Sequence, residues 1–207
     1  MALVKYNNQS LSSVTALESL PAGGMTHIKT LTASSSSTLS FVDGASDVVL
    51  DNTYPIYLFK FINIHPSNHN TTFCFNLSVD SGSNYNVAKT SAVFRAFHNE
   101  ADTATEFDYL DGLDLAQGTG VQVMVENIGH ENNESSSGEL YLFNPSSTTF
   151  VKHFTWTVPS HASSDAINTQ YGGGYGNTTS AVDAVQFSMA AGDIDAGVIK
   201  LYGIKDS

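Results

Sequence analysis

The sequence predicts an all-β protein: a jelly-roll-like antiparallel β-sandwich (25–207) preceded by a short N-terminal arm or helix (1–24). Alternation of apolar and polar residues with a period of two recurs from about residue 25 to the end, as it does in half-buried strands. The alternating runs are short and are separated by clusters of Gly, Asn, Asp and Ser, the punctuation of a sandwich or barrel. The composition agrees: hydrophobic residues at 41% and aromatics at 11% supply a core. Charged residues reach only 14%, against roughly 25% in an average soluble domain, which leaves an uncharged polar surface suited to wide contact areas.

Along the chain, Ser10 to Leu20 carries Leu11, Val14 and Leu17 ahead of Pro21 and Gly23-Gly24. This is a short helix or an extended arm, and Leu3, Leu11, Val14 and Leu17 are its candidate assembly contacts. Strands follow at Thr26 to Leu31 and Thr38 to Val42. The run Ile56 to Ile64 is apolar on both faces except for Lys60 and Asn63, which predicts a central strand covered on both sides. In Phe73 to Val79, the residues Phe73, Phe75, Leu77 and Val79 face the core while Asn76 and Ser78 face out. Asp80-Ser81-Gly82-Ser83-Asn84 offers a hairpin turn. Further strands are expected at Ser91 to Phe97, Val121 to Ile128, Glu139 to Phe143, Phe150 to Val158, Ala184 to Met189 and Val198 to Ile204. Phe154, Trp156, Val158, Val185, Phe187 and Met189 belong to the core. His98 to Glu106, Gly129 to Ser137 and Ser160 to Asn168 read as exposed loops.

The formal net charge of −12 and a pI near 4.7 oppose nucleic acid and anionic lipid alike. No apolar run approaches the 18 or so residues of a membrane span, so no membrane insertion is expected. The lone Cys74 excludes an intrachain disulfide and, between Phe73 and Phe75, reads as a core residue. Met1 to Tyr6 lacks the pattern of a Sec-type export signal.

Catalytic motifs are missing: there is no zincin histidine pair, phosphate loop, nucleophile elbow or dinucleotide fingerprint. A glycosidase needs only two facing carboxylates, and Glu100, Glu106, Glu126, Glu131, Glu134 and Glu139 are the nominal supply; most lie in or beside loops. The expectation is a protein that is not an enzyme and takes no cofactor and no metal. His65 and His69 have the spacing of a helical ligand pair, but Pro66-Ser67-Asn68 between them denies the segment a helix. Asp193 and Asp195, in Gly192-Asp193-Ile194-Asp195-Ala196-Gly197, could offer oxygens to calcium; without further carboxylates the segment reads as a tight hairpin. In Tyr171-Gly172-Gly173-Gly174-Tyr175-Gly176-Asn177 two readings stand. Either the glycines permit a bulge or close strand approach and the tyrosines complete the core, or Tyr171 and Tyr175 stand exposed as anchors for a sugar or a protein. Tyr171, Tyr175, His98, Asn99, Glu131 and Asn132 are the candidate contact residues.

Four stretches carry a resemblance. They are Tyr57-Leu58-Phe59-Lys60-Phe61-Ile62-Asn63-Ile64-His65-Pro66, Asp80-Ser81-Gly82-Ser83-Asn84-Tyr85-Asn86, Leu142-Phe143-Asn144-Pro145-Ser146-Ser147-Thr148-Thr149, and Gly192 through Ile204. In this order the chain resembles structural proteins of tailed bacteriophages, especially those of marine bacteria and cyanobacteria. The resemblance implies a virion component on the particle exterior, in the tail-fibre or tail-tip class or among head decorations, assembled in the host bacterial cytoplasm. It implies other virion proteins as partners, a homo-oligomer for which a trimer is the natural guess, and a host-surface glycan or protein as a possible target. It carries over no catalytic residue.

Overall fold

The computed structural model describes residues 24–205; the expected arm or helix, with Leu3, Leu11, Val14 and Leu17, lies outside them. Among the described residues there is no helix. Every expected strand is present, as β1 (Met25–Thr32), β2 (Thr38–Val42), β3 (Ile56–Pro66), β4 (Thr71–Ser78), β5 (Lys89–Asn99), β8 (Gln122–Ile128), β9 (Ser136–Phe143), β10 (Lys152–Ala162), β12 (Ala184–Met189) and β13 (Ile194–Ile204). Three were not expected: β6 (Thr105–Tyr109), β7 (Ala116–Gly118) and β11 (Ala166–Gly176).

All pairings are antiparallel and form two facing layers. The larger runs β1-β13-β3-β9-β10-β11-β5, with β6 and β7 on the far edge of β5. The smaller runs β8-β4-β12-β2. A single bridge, Ala162 to Ile128, joins them on one side, and the Ser36 to Ile194 bridge lies beside the opposite seam. The result is a sandwich nearly closed into a barrel. Eight connections cross between the layers; four of them, β1–β2, β3–β4, β8–β9 and β12–β13, together with the hairpin turns β5–β6 and β10–β11, crowd one rim.

Between the layers lies a dry aromatic core. Phe187 of β12 packs against Phe41, Phe59, Phe61 and Phe73 with ring centroids 5.2–6.2 Å apart. Phe75 meets Phe154 and Trp156 across the layers. The alternation of β10 and β12 is realised as read, with Phe154, Trp156, Val158, Val185, Phe187 and Met189 all buried. Cys74 is fully buried, and desolvation pushes its thiol up to about 12, so it packs rather than reacts.

Several local expectations are corrected. Val79 is 37% exposed because β4 ends at Ser78, while Asn76 and Ser78, expected outside, are buried. The excursion from Asp80 to Gly120 covers that face: Asn76 Nδ2 donates to Tyr85 O and Thr119 O. The turn at Asp80 forms, with Asp80 accepting from the Asn84 backbone at 2.8 Å. It is no hairpin, because β4 and β5 pair with other strands. Likewise Gly192 and Asp193 lie in the passage from β12 to β13, which belong to opposite layers, and Ile194 to Gly197 are already part of β13. β3 is central, between β13 and β9, but its outer face is only partly covered: Leu58 is buried while Ile62 is 40% exposed. The segments read as loops are shorter than expected, since β5, β6, β9, β10 and β11 all run into them.

Candidate functional site

The crossing rim gathers five of the chain's seven histidines: His65, His69, His98, His130 and His161. Its centre is the loop between β8 and β9, residues 129–135. Glu134 folds back over this loop and is 4% exposed, its Oε2 accepting the Glu131 N–H at 2.6 Å. Gly129 makes this possible, because a Cβ there would lie 2.1 Å from the Glu134 carboxylate. His161, at the end of β10, donates Nδ1–H to Ala162 O and faces Glu134 Oε1 at 3.5 Å, while its Nε2 faces Glu100 at 3.4 Å. The imidazole thus stands between those two acids. His65 donates from Nε2 to the carbonyls of His130 and Glu131, and its Nδ1 lies 3.9 Å from Asp195. His69, on the β3–β4 turn, meets His130 Nδ1 to Nδ1 at 3.1 Å.

Two open depressions flank this cluster. One of about 310 Å³ is lined by His98, Asn99, Glu100, His161, Ala166 and Ile167. The other, of about 510 Å³, includes Asn132, Glu134, His65 and Asp195 in its wall. The structure therefore brings the sequence candidates His98, Asn99, Glu131 and Asn132 to one rim. Asp195 is turned toward Ser35, whose Oγ–H donates to it at 2.8 Å, as well as toward His65.

Tyr171 and Tyr175 lie elsewhere, on the outer face of the larger layer. β11 is a regular strand with no bulge, paired along its length to β10 and β5. Its glycines serve close approach: the Trp156 ring lies where a Cβ on Gly172 would sit, 2.1 Å away. The tyrosines alternate to the opposite side from Gly172 and are half-buried, not core. Tyr171 stacks on Phe94 at 5.3 Å and 13°, and Phe94 meets Phe107 edge-on at 5.8 Å. Phe107 is 74% exposed, Tyr109 58% and Ile167 47%. An aromatic row thus crosses β11, β5 and β6 on the outside of the sandwich.

Beneath that row the inner face is polar. Gln122, Asn168, Gln170 and Lys89 are buried there, and Arg95 reaches Glu106, Asp108 and Glu126. Lys89 Nζ donates to Asn76 Oδ1 at 2.6 Å and Val87 O at 2.9 Å, and burial lowers its pKa to about 8.

The chain matches no protein-family model, no curated protein and no solved structure. Sequence reasoning named neither Phe94 nor Phe107, nor the grouping of His69, His130 and Glu134. The His-Glu-Asn-Asn-Glu run at 130–134 was a signal of donor density, but its partner His69 is 61 positions away. The exposed rings stay hidden in the sequence because the expected loop His98 to Glu106 runs into β6 and no strand is expected over Phe107, which leaves that ring without a face.

Proposed function

We propose that the chain is a non-enzymatic structural component of a tailed-phage virion, exposed on the particle exterior in the tail-fibre or tail-tip class, and that it works by presenting its outer sheet face to a host-surface protein or glycan. The observation that carries this reading is the outward row of Tyr171, Phe94 and Phe107. Rigid aromatic rings on a charge-poor sheet are contact surface: they bury large apolar area at little entropic cost and need no ionic group to be desolvated. The strand order supports the same class. The sets β1-β13-β3-β9 and β2-β12-β4-β8, between which the chain passes back and forth, read as a jelly roll extended on one side by β10, β11, β5, β6 and β7. Jelly rolls serve in viral capsids and lectins, an analogy of fold that supports the reading only together with the sequence resemblance and the surface.

The same surface would serve a capsid decoration or cement protein, with shell subunits in place of the host, and a homotrimer suits either position. A reconstruction of the particle that carries the chain tests the proposal. Density at the tail tip or fibre is expected; density on the shell transfers the reading to decoration, and a particle without the chain overturns it. Binding of the full chain to host envelope fractions should fall at least tenfold in the Phe94→Ala/Phe107→Ala double variant.

A further inference from the structure

The rim of histidines contains the elements of a metal centre. We propose that His69, His130 and Glu134 form a Zn²⁺ site that clips the β3–β4 turn to the β8–β9 loop. One ligand atom from each of the three side chains lies within 4.8 Å of the others. The two Nδ1 atoms are 3.1 Å apart, close to the roughly 3.3 Å edge of a tetrahedral centre with Zn–N bonds of about 2.0–2.1 Å. Two neutral imidazoles hold that separation only by sharing one proton, and a divalent cation takes the proton's place between the same lone pairs. Two imidazoles and a carboxylate are the donor set of zinc rather than of calcium or magnesium, which take oxygen ligands.

The site has built support. Glu134 is buried, its Oε2 is fixed by the Glu131 N–H, and its carboxylate occupies space that only Gly129 leaves free. His161, pinned through Nδ1–H to Ala162 O, packs against Oε1 as an outer partner. His69 and His130 are exposed, so their rings can rotate the remaining distance onto the ion, and the fourth position stays open to water. Both joined segments pass from one layer of the sandwich to the other, so the ion would lock the barrel's rim.

The test uses the untagged full chain freed of metal. Titration calorimetry with Zn²⁺ should show one ion per chain at micromolar or tighter Kd, and Co²⁺ should give the intense visible bands of a tetrahedral site. At a hundredfold excess of Zn²⁺ over Kd, the melting temperature should rise by about 5–10 °C. Glu134→Gln keeps the side chain's shape and removes the anionic ligand, and His130→Ala removes an exposed ring. Each should weaken binding by more than the roughly 10–100-fold that an outer partner is worth, and His161→Ala by about that amount. His27→Ala and His153→Ala, at the opposite end of the fold, should bind as the parent does. Substoichiometric binding, or undiminished binding in a His69→Ala/His130→Ala variant, overturns the site.

Discussion

The two halves of the interior are built on different physics. Under β3, β12, β4 and β2 the layers meet through the contacting rings of Phe41, Phe59, Phe61, Phe73 and Phe187. Under β11 and β5 they meet through Lys89, Gln122, Asn168 and Gln170. Here Gln122 accepts from Ser91 and donates to the Leu113 and Val123 carbonyls, and Asn168 donates to Glu126 O. Among the described residues four buried atoms, Arg95 Nε, Asn168 Oδ1 and both amide atoms of Gln170, find no protein partner. The dry half draws its stability from packing without orientation. The polar half holds β11 and β5 at a defined height above β8, and each unpaired group there costs stability. The extension that presents the aromatic row is therefore the less stable half of the sandwich, and the aromatic quintet is its anchor.

The largest effect should come from the quintet. Phe187→Ala leaves a cavity that four neighbouring rings cannot fill and should lower unfolding free energy by about 3–5 kcal/mol in urea denaturation; a loss under 1 kcal/mol would mean that the layers close over the gap.

Lys89 comes next, through pH. Its pKa is lowered from 10.5 to about 8 on folding, so between those pH values the unfolded chain binds the extra proton and stability rises with pH through this group. The span corresponds to about 3 kcal/mol at most. Cys74, raised from 9.0 to about 12, acts in the opposite sense above pH 9, so the difference between parent and Lys89→Met isolates the lysine. The parent should gain stability relative to Lys89→Met steadily from pH 8 to 10.5, and a constant difference would place the ammonium in water.

The smallest effect should be Gln170→Leu, which removes two unpaired buried atoms and should raise stability by about 1 kcal/mol. A fall of that size would show that bound water completes the amide's hydrogen bonds and that the polar half is fully satisfied.

Strand positions in the eight-stranded body were legible because each buries one face against the aromatic core, and burial on one face writes period two into the chain. β2 and β12 match their expected limits at both ends. β11 was not legible. Its inward positions are Gly172, Gly174, Gln170 and Asn168, chosen for the room that Trp156 needs and for hydrogen bonds, so no apolar alternation marks it. The same cause hides Asn76 and Ser78, whose outward face is buried only because the Asp80 to Gly120 excursion folds back over it.

The candidate site divides in the same way. His98, Asn99, Glu131 and Asn132 could be singled out as loop residues of donor-rich segments, and Tyr171 and Tyr175 as rings set among glycines. Which loops share a rim, and which rings share a face, depends on the order in which strands pair. That order brings His69 to His130 and Tyr171 to Phe94.

The all-β class, most strand positions, the aromatic core and an acidic, charge-poor surface can be read from the chain alone, because alternation and composition are local properties. The crossing of the layers, the polar interior beneath β11 and β5, the outward aromatic row and the histidine rim emerge only on folding. Each of these is a meeting of residues far apart in the chain, and local periodicity holds no information about partners at that separation.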